Sequence, residues 1–167
     1  MRPFSLKRLT CAALAATALA SGTAAFAAKP VDAYYHAVDG SLDYRVFGYT
    51  DTDGNYVSLV GQTILGARAE VQFTPEAETD LAGFRMAMVV PVSGAQSQYF
   101  LVDGTSLIPT GTKGKYIADL TSALFNGTVV DGRFSIETYS LNANGNPVAL
   151  HGVLGPKAGF HFVVTHP

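Results

Sequence analysis

The sequence predicts an all-β protein: an antiparallel β-sandwich, with a closed β-barrel as the alternative. Three observations carry that expectation. Short runs rich in Val, Tyr, Phe and Thr recur along the chain, and these residue types suit a pleated, half-buried surface. Between them stand Asp39-Gly40, Asp53-Gly54, Asp103-Gly104, Asn126-Gly127, Asp131-Gly132 and Asn144-Gly145, turn pairs whose second residue accepts a positive φ without a Cβ penalty. From Ala67 to Phe73, small or apolar residues alternate strictly with charged or polar ones, which gives one core face and one wet face.

The chain opens with a basic start, Met1 to Arg8, followed by a small and apolar run from Leu9 to Ala20 and the small-x-small ending Ala25-Phe26-Ala27. The apolar run is too short to span a bilayer, and the three parts together read as a signal peptide over residues 1–27. Cleavage near Ala27 leaves residues 28–167 as a single antiparallel β domain, exported to the periplasm or the extracellular space. Arg2, Lys7 and Arg8 leave with the leader, so Lys+Arg falls from 11 to 8 against 13 acids, a net charge of −5. That balance argues against a nucleic-acid partner. Cys11 is the one cysteine and lies in the leader, so no disulfide or thiolate chemistry is expected afterwards. No transmembrane helix is expected past Ala28.

Along residues 28–167, Ala28 to Val38 reads as an edge segment able to add to a partner sheet. Leu42 to Val46 and Arg133 to Tyr139 alternate like Ala67 to Phe73, the mark of antiparallel sheet with a solvated side. Tyr56 to Leu65, Met86 to Val92 and Tyr99 to Val102 are denser and read as strands covered on both faces, for about eight to ten strands in all. Two short helical turns interrupt the pattern. Thr74-Pro75-Glu76-Ala77-Glu78 offers a cap, a first-position proline and first-turn acids, with Gly83 to end it. Asp119 to Asn126, stopped at Gly127, is the second. The Gly- and Pro-rich stretch Ile108 to Gly114 suits a crossing between two sheets and favours the sandwich.

Candidate chemistry is sparse. If Val148 to Leu154 pairs with Phe160 to His166, His151 and His161 become diagonal neighbours on one face, about 7–8 Å apart, within reach of a shared Zn or Cu ion. No third ligand is specified. Asp51-Thr52-Asp53-Gly54-Asn55 matches part of a calcium loop but lacks acids at the outer positions, and a polar hairpin turn explains it. Glu76, Glu78 and Asp80 are explained by the positive end of a helix. There is no Gly-x-Ser-x-Gly or Ser-x-x-Lys, so the reading leans away from an enzyme and implies no cofactor.

Tyrosine is the more informative aromatic. A hairpin about Asp39-Gly40 would bring Tyr34 and Tyr35 near Tyr44, and an exposed cluster of rigid rings with polar tips makes a contact surface. The expected function is an exported non-catalytic binding or structural module that takes a protein, a glycan or another copy of itself through sheet edges or loops. Two alternatives stand beside it. One is a barrel carrying a small hydrophobic ligand among Met86, Met88 and Phe134; the other is a metal protein or enzyme using His151 and His161.

Overall fold

The computed structural model describes residues 29–38, 43–91 and 96–166, so the expected leader and the Asp39-Gly40 turn lie outside the described residues. These residues form two antiparallel sheets and a small hairpin. The first sheet is ordered β1 (Val31–His36), β13 (Gly159–Val164), β5 (Ile64–Pro75), β9 (Tyr116–Ser122), β8 (Ile108–Pro109), with β12 (Gly152–Leu154) also on β5. The second is ordered β11 (Pro147–Val148), β10 (Arg133–Leu141), β6 (Phe84–Val90), β7 (Gln98–Asp103), with β2 (Asp43–Val46) also on β10. β3 (Gly48–Thr50) and β4 (Tyr56–Ser58) make the hairpin. Neither sheet closes on itself among the described residues. The fold is a sandwich and not the alternative barrel.

The alternation in β5 sets the interior. Ala67, Ala69, Val71 and Phe73 are buried, while Arg68, Glu70 and Gln72 face outward. The small inward residues Ala67 and Ala69 leave room for aromatic rings. Phe134 lies 4.4 Å from Phe47 and 4.6 Å from Tyr35, Phe47 lies 5.1 Å from Phe162, and Phe73 meets Phe84 at 4.4 Å. Such pairs add to the area they remove from water. Met86, Met88 and Phe134, the residues expected to border a barrel lumen, are instead fully buried in this continuous core.

Several elements depart from expectation for local reasons. Tyr56 to Leu65 is not one strand. It is β4, a turn through Gly61 at a φ of 88°, and the start of β5. β7 is covered on one face only, with Tyr99 and Leu101 exposed. The first helical turn is a 3₁₀ turn that begins at Glu78, because Thr74 and Pro75 still pair with Val153 and Gly152. The Asp80 carboxylate accepts the Ala77 N–H at 2.9 Å in place of a cap from Thr74. The second expected helix is strand β9 as far as Ser122 and then a tight turn to Gly127. There Asp119 answers Arg68 on the adjacent β5 instead of capping a helix. A second 3₁₀ turn falls at Gly104–Ser106, where Asp103 accepts the Thr105 N–H at 2.9 Å.

The final hairpin is absent. β12 and β13 lie end to end along one edge of β5, with Leu154 opposite Phe73 and Gly159 opposite Glu70. β5 is twelve residues long and takes both, and residues 155–158 bulge out between them, anchored by Gly155 N–H to the Gln72 carbonyl at 2.7 Å.

Tyr35 ties the first sheet to the hairpin. Its hydroxyl donates to the Gly48 carbonyl and accepts the Gly48 N–H, both at 3.0 Å, and only 6% of the residue is exposed. Burial pushes its pKa up to about 12. A free tyrosine loses its proton near pH ~10, so the folded state holds this proton more tightly, and the stability it confers is full below about pH 10 and lost as pH rises through about 12. Tyr35→Phe is expected to cost about 1–3 kcal/mol near neutrality by stranding the Gly48 groups. It should also flatten the alkaline decline, which denaturant titrations at about pH 8 and about pH 11 would measure.

Candidate functional site

The expected tyrosine cluster splits three ways, because β1 pairs with β13 and β2 pairs with β10 instead of with each other. Tyr35 is in the core. Tyr34 lies on the outer face of the first sheet, and Tyr44 on the outer face of the second.

On the first sheet the outward side chains are turned on one another. Arg68 donates to both Asp119 oxygens at 2.6 Å through Nε and Nη2, and stands 3.7 Å from Glu70. That guanidinium holds the Asp119 carboxyl below the usual carboxylate range. His161 sits between Asp32, 3.1 Å from Nδ1, and Glu70, 3.4 Å from Nε2. Tyr34 covers His161 at 4.7 Å between ring centroids and donates its hydroxyl to the Ala158 carbonyl at 3.1 Å. With its ring and hydroxyl both engaged, Tyr34 is a part of this network.

His151 is elsewhere, 3.6 Å from Asp80. It borders a hollow of about 610 Å³ whose polar groups hold nearby loops. Asp80 caps Ala77, Arg85 donates to the Ala82 and Phe84 carbonyls at 3.0 and 2.7 Å, and Asn142 accepts the Asn144 and Asn146 N–H groups. The two histidines therefore keep separate company, and among the described residues no group of three or more His, Cys, Asp or Glu is arranged to hold a metal ion. In the calcium-like fragment, Asp51 accepts the Asp53 and Asn55 N–H groups at 2.9 and 2.8 Å, so its oxygens close the β3–β4 turn.

The outer face of the second sheet is different. The registers place Tyr44, Ser135, Val89 and Tyr99 in one row across β2, β10, β6 and β7. The outer two are exposed, at 65% and 59%, while Ser135 and Val89 between them are buried at 6% and 9% despite facing outward. The next row, Glu137, Ala87 and Leu101, repeats the pattern of a small floor beside an exposed apolar side chain. The result is a trough crossing the strands, with tyrosine walls three strand spacings, about 14 Å, apart at the backbone.

Beside Tyr44 the trough deepens into a hollow of about 440 Å³ lined by Val89, Pro91, Arg133, Ser135 and Glu137. Arg133 and Glu137 flank Ser135 along β10 and have no ion-pair or hydrogen-bond partner among the described residues. Together they bring an open donor fork and an open acceptor pair to a floor that carries a hydroxyl.

The chain matches no family model, no curated protein and no solved structure.

Of the tyrosines singled out from sequence, Tyr44 stands in this trough; Tyr99, Ser135, Arg133 and Glu137 were not singled out. The alternation of Arg133 to Tyr139 did place the three β10 residues on one wet face. Nothing local told that β2 and β6 flank β10, with β7 beyond β6, and so put Tyr44 and Tyr99 on the same row.

Since Tyr44 and Tyr99 support no core contact, Tyr44→Ala and Tyr99→Ala are each expected to change stability by no more than about 0.5 kcal/mol. Phe134→Ala, next to Ser135 on β10 but facing the core, should cost about 3–5 kcal/mol. Denaturant unfolding of the three variants checks the contrast.

Proposed function

We propose that the protein is an exported, non-catalytic binding module that holds its partner on the outer face of the second sheet. One observation carries the reading. Exposed tyrosines, and a guanidinium and a carboxylate without partners among the described residues, surround a floor of small buried side chains, on a face where the backbone is already used within the sheet. Rigid aromatic rings supply contact area at low entropic cost, and a few convergent polar groups supply orientation. Arg133 and Glu137 are four residues apart on one strand, about 13 Å along it, which suits two separate contacts to an extended partner better than a shared proton transfer. Export rests on the leader read from the sequence at residues 1–27, and the net charge of −5 that its removal would leave argues against nucleic acid.

The test is a binding panel of immobilised polysaccharides, peptides and envelope proteins. The protein is expected to be retained by a member of the panel, and Tyr44→Ala together with Tyr99→Ala should weaken that retention by about tenfold or more, while Tyr34→Ala leaves it in place. Retention that survives the paired trough variant but is lost with Tyr34→Ala would move the site to the other sheet and sink the reading.

A further inference from the structure

We infer that the trough on β2, β10, β6 and β7 takes an uncharged saccharide chain, laid across the strands. This rests on the proposed binding face and adds the class of ligand.

The row Tyr44, Ser135, Val89, Tyr99 sets two aromatic side chains at the ends of a low floor. A sugar ring has an apolar C–H face and a rim of hydroxyls, so it can rest on an aromatic side chain while the rim bonds polar groups beside it. The span of about 14 Å between the two strands that bear the tyrosines admits a short run of sugar units and exceeds what a single one would cover.

The charges select against ionic polymers. Arg133 and Glu137 each lie about 7 Å along β10 from Ser135, on opposite sides, so a polyanion or a polycation entering the trough meets one like charge as closely as one opposite charge. A hydroxyl is both donor and acceptor, and it satisfies a guanidinium that only donates as well as a carboxylate that only accepts. A neutral, hydroxyl-rich ligand can thus use both side chains, and Ser135 supplies a further hydroxyl between them.

Other occupants fit less well. β10 and β6 are interior strands whose backbone groups pair with their neighbours, so a peptide cannot join this face by strand addition. An acyl chain gains most in an enclosed apolar cavity, whereas this trough is open and lined by Arg133, Ser135 and Glu137.

The chain has no Trp, so Tyr44→Trp places a single emission probe in the trough. Purified protein would be titrated with soluble uncharged polysaccharides (a β-glucan, an α-glucan, a mannan and a galactan), with polygalacturonate and heparin as charged polymers, and with a peptide pool. At least one uncharged polymer is expected to shift the Trp emission of that variant. In affinity electrophoresis the same polymer should retard the unaltered protein, with the apparent Kd raised about tenfold or more by Tyr99→Ala and raised less by Arg133→Ala or Glu137→Gln.

If none of the four uncharged polymers is bound, or one is bound equally well after Tyr44→Ala and Tyr99→Ala are combined, the inference is overturned. Binding only to peptide or charged polymer, lost with those same substitutions, rejects the saccharide and leaves the trough as a binding face. Binding to any ligand that ignores both substitutions rejects the face as well.

Discussion

Phe134 decides what β10 shows to both sides. Its ring is fixed between Phe47 and Tyr35 in the core. Because side chains alternate along a strand, anchoring Phe134 and Ile136 inward forces Arg133, Ser135 and Glu137 outward. A slip by one residue would bury a guanidinium and two further polar groups and expose two large apolar side chains. The register of the trough is therefore held by the core behind it. The same rule governs β6, where inward Met86 and Met88 leave Ala87 and Val89 as a floor too small to fill the space between the flanking tyrosines.

The two outer faces use polar side chains in opposite ways. On the first sheet, Arg68, Glu70, Asp119, Asp32, His161 and Tyr34 meet one another. Exposed ion pairs of this kind contribute little to stability, but they engage most of these groups, His161 Nε2 being the exception, buried 3.4 Å from Glu70 without a hydrogen bond. On the second sheet Arg133 and Glu137 are kept apart by Ser135, and the intervening side chains are small. Aromatic exposure by itself does not separate the two faces, since Tyr34 is also 41% exposed. What separates them is whether the groups around each ring are already engaged.

The period of two in Ala67 to Phe73 and in Arg133 to Tyr139 was legible in the sequence, and with it the inward and outward sets of both central strands. Much of the turn chemistry was legible too, as in Gly54 and Gly145, which take positive φ after Asp53 and Asn144. Strand neighbours were not. Adjacency depends on contacts between distant segments, and the local rule that favours a hairpin misplaced both β2 and β12. Tyr44 could be chosen as a surface ring, but its partner across the trough is 55 residues further along the chain, on β7. Asp119 illustrates the same limit at one residue. A carboxylate before Leu-Thr-Ser looks like a helix cap until Arg68 is placed on the adjacent strand.

The pairing of β1 with β13 has a kinetic side. Tyr34 donates to the Ala158 carbonyl across a separation of 124 residues, and Val31 sits opposite Val164. β1 and one long edge of β5 thus both depend on residues 152–164. Loop closure over such distances is an entropic barrier to be crossed before the contacts reward it, and folds dominated by it assemble slowly. Until that segment arrives, β5 presents a bare row of N–H and C=O groups, so assembly of the first sheet is also a contest between its own last strands and any other chain that reaches that edge first.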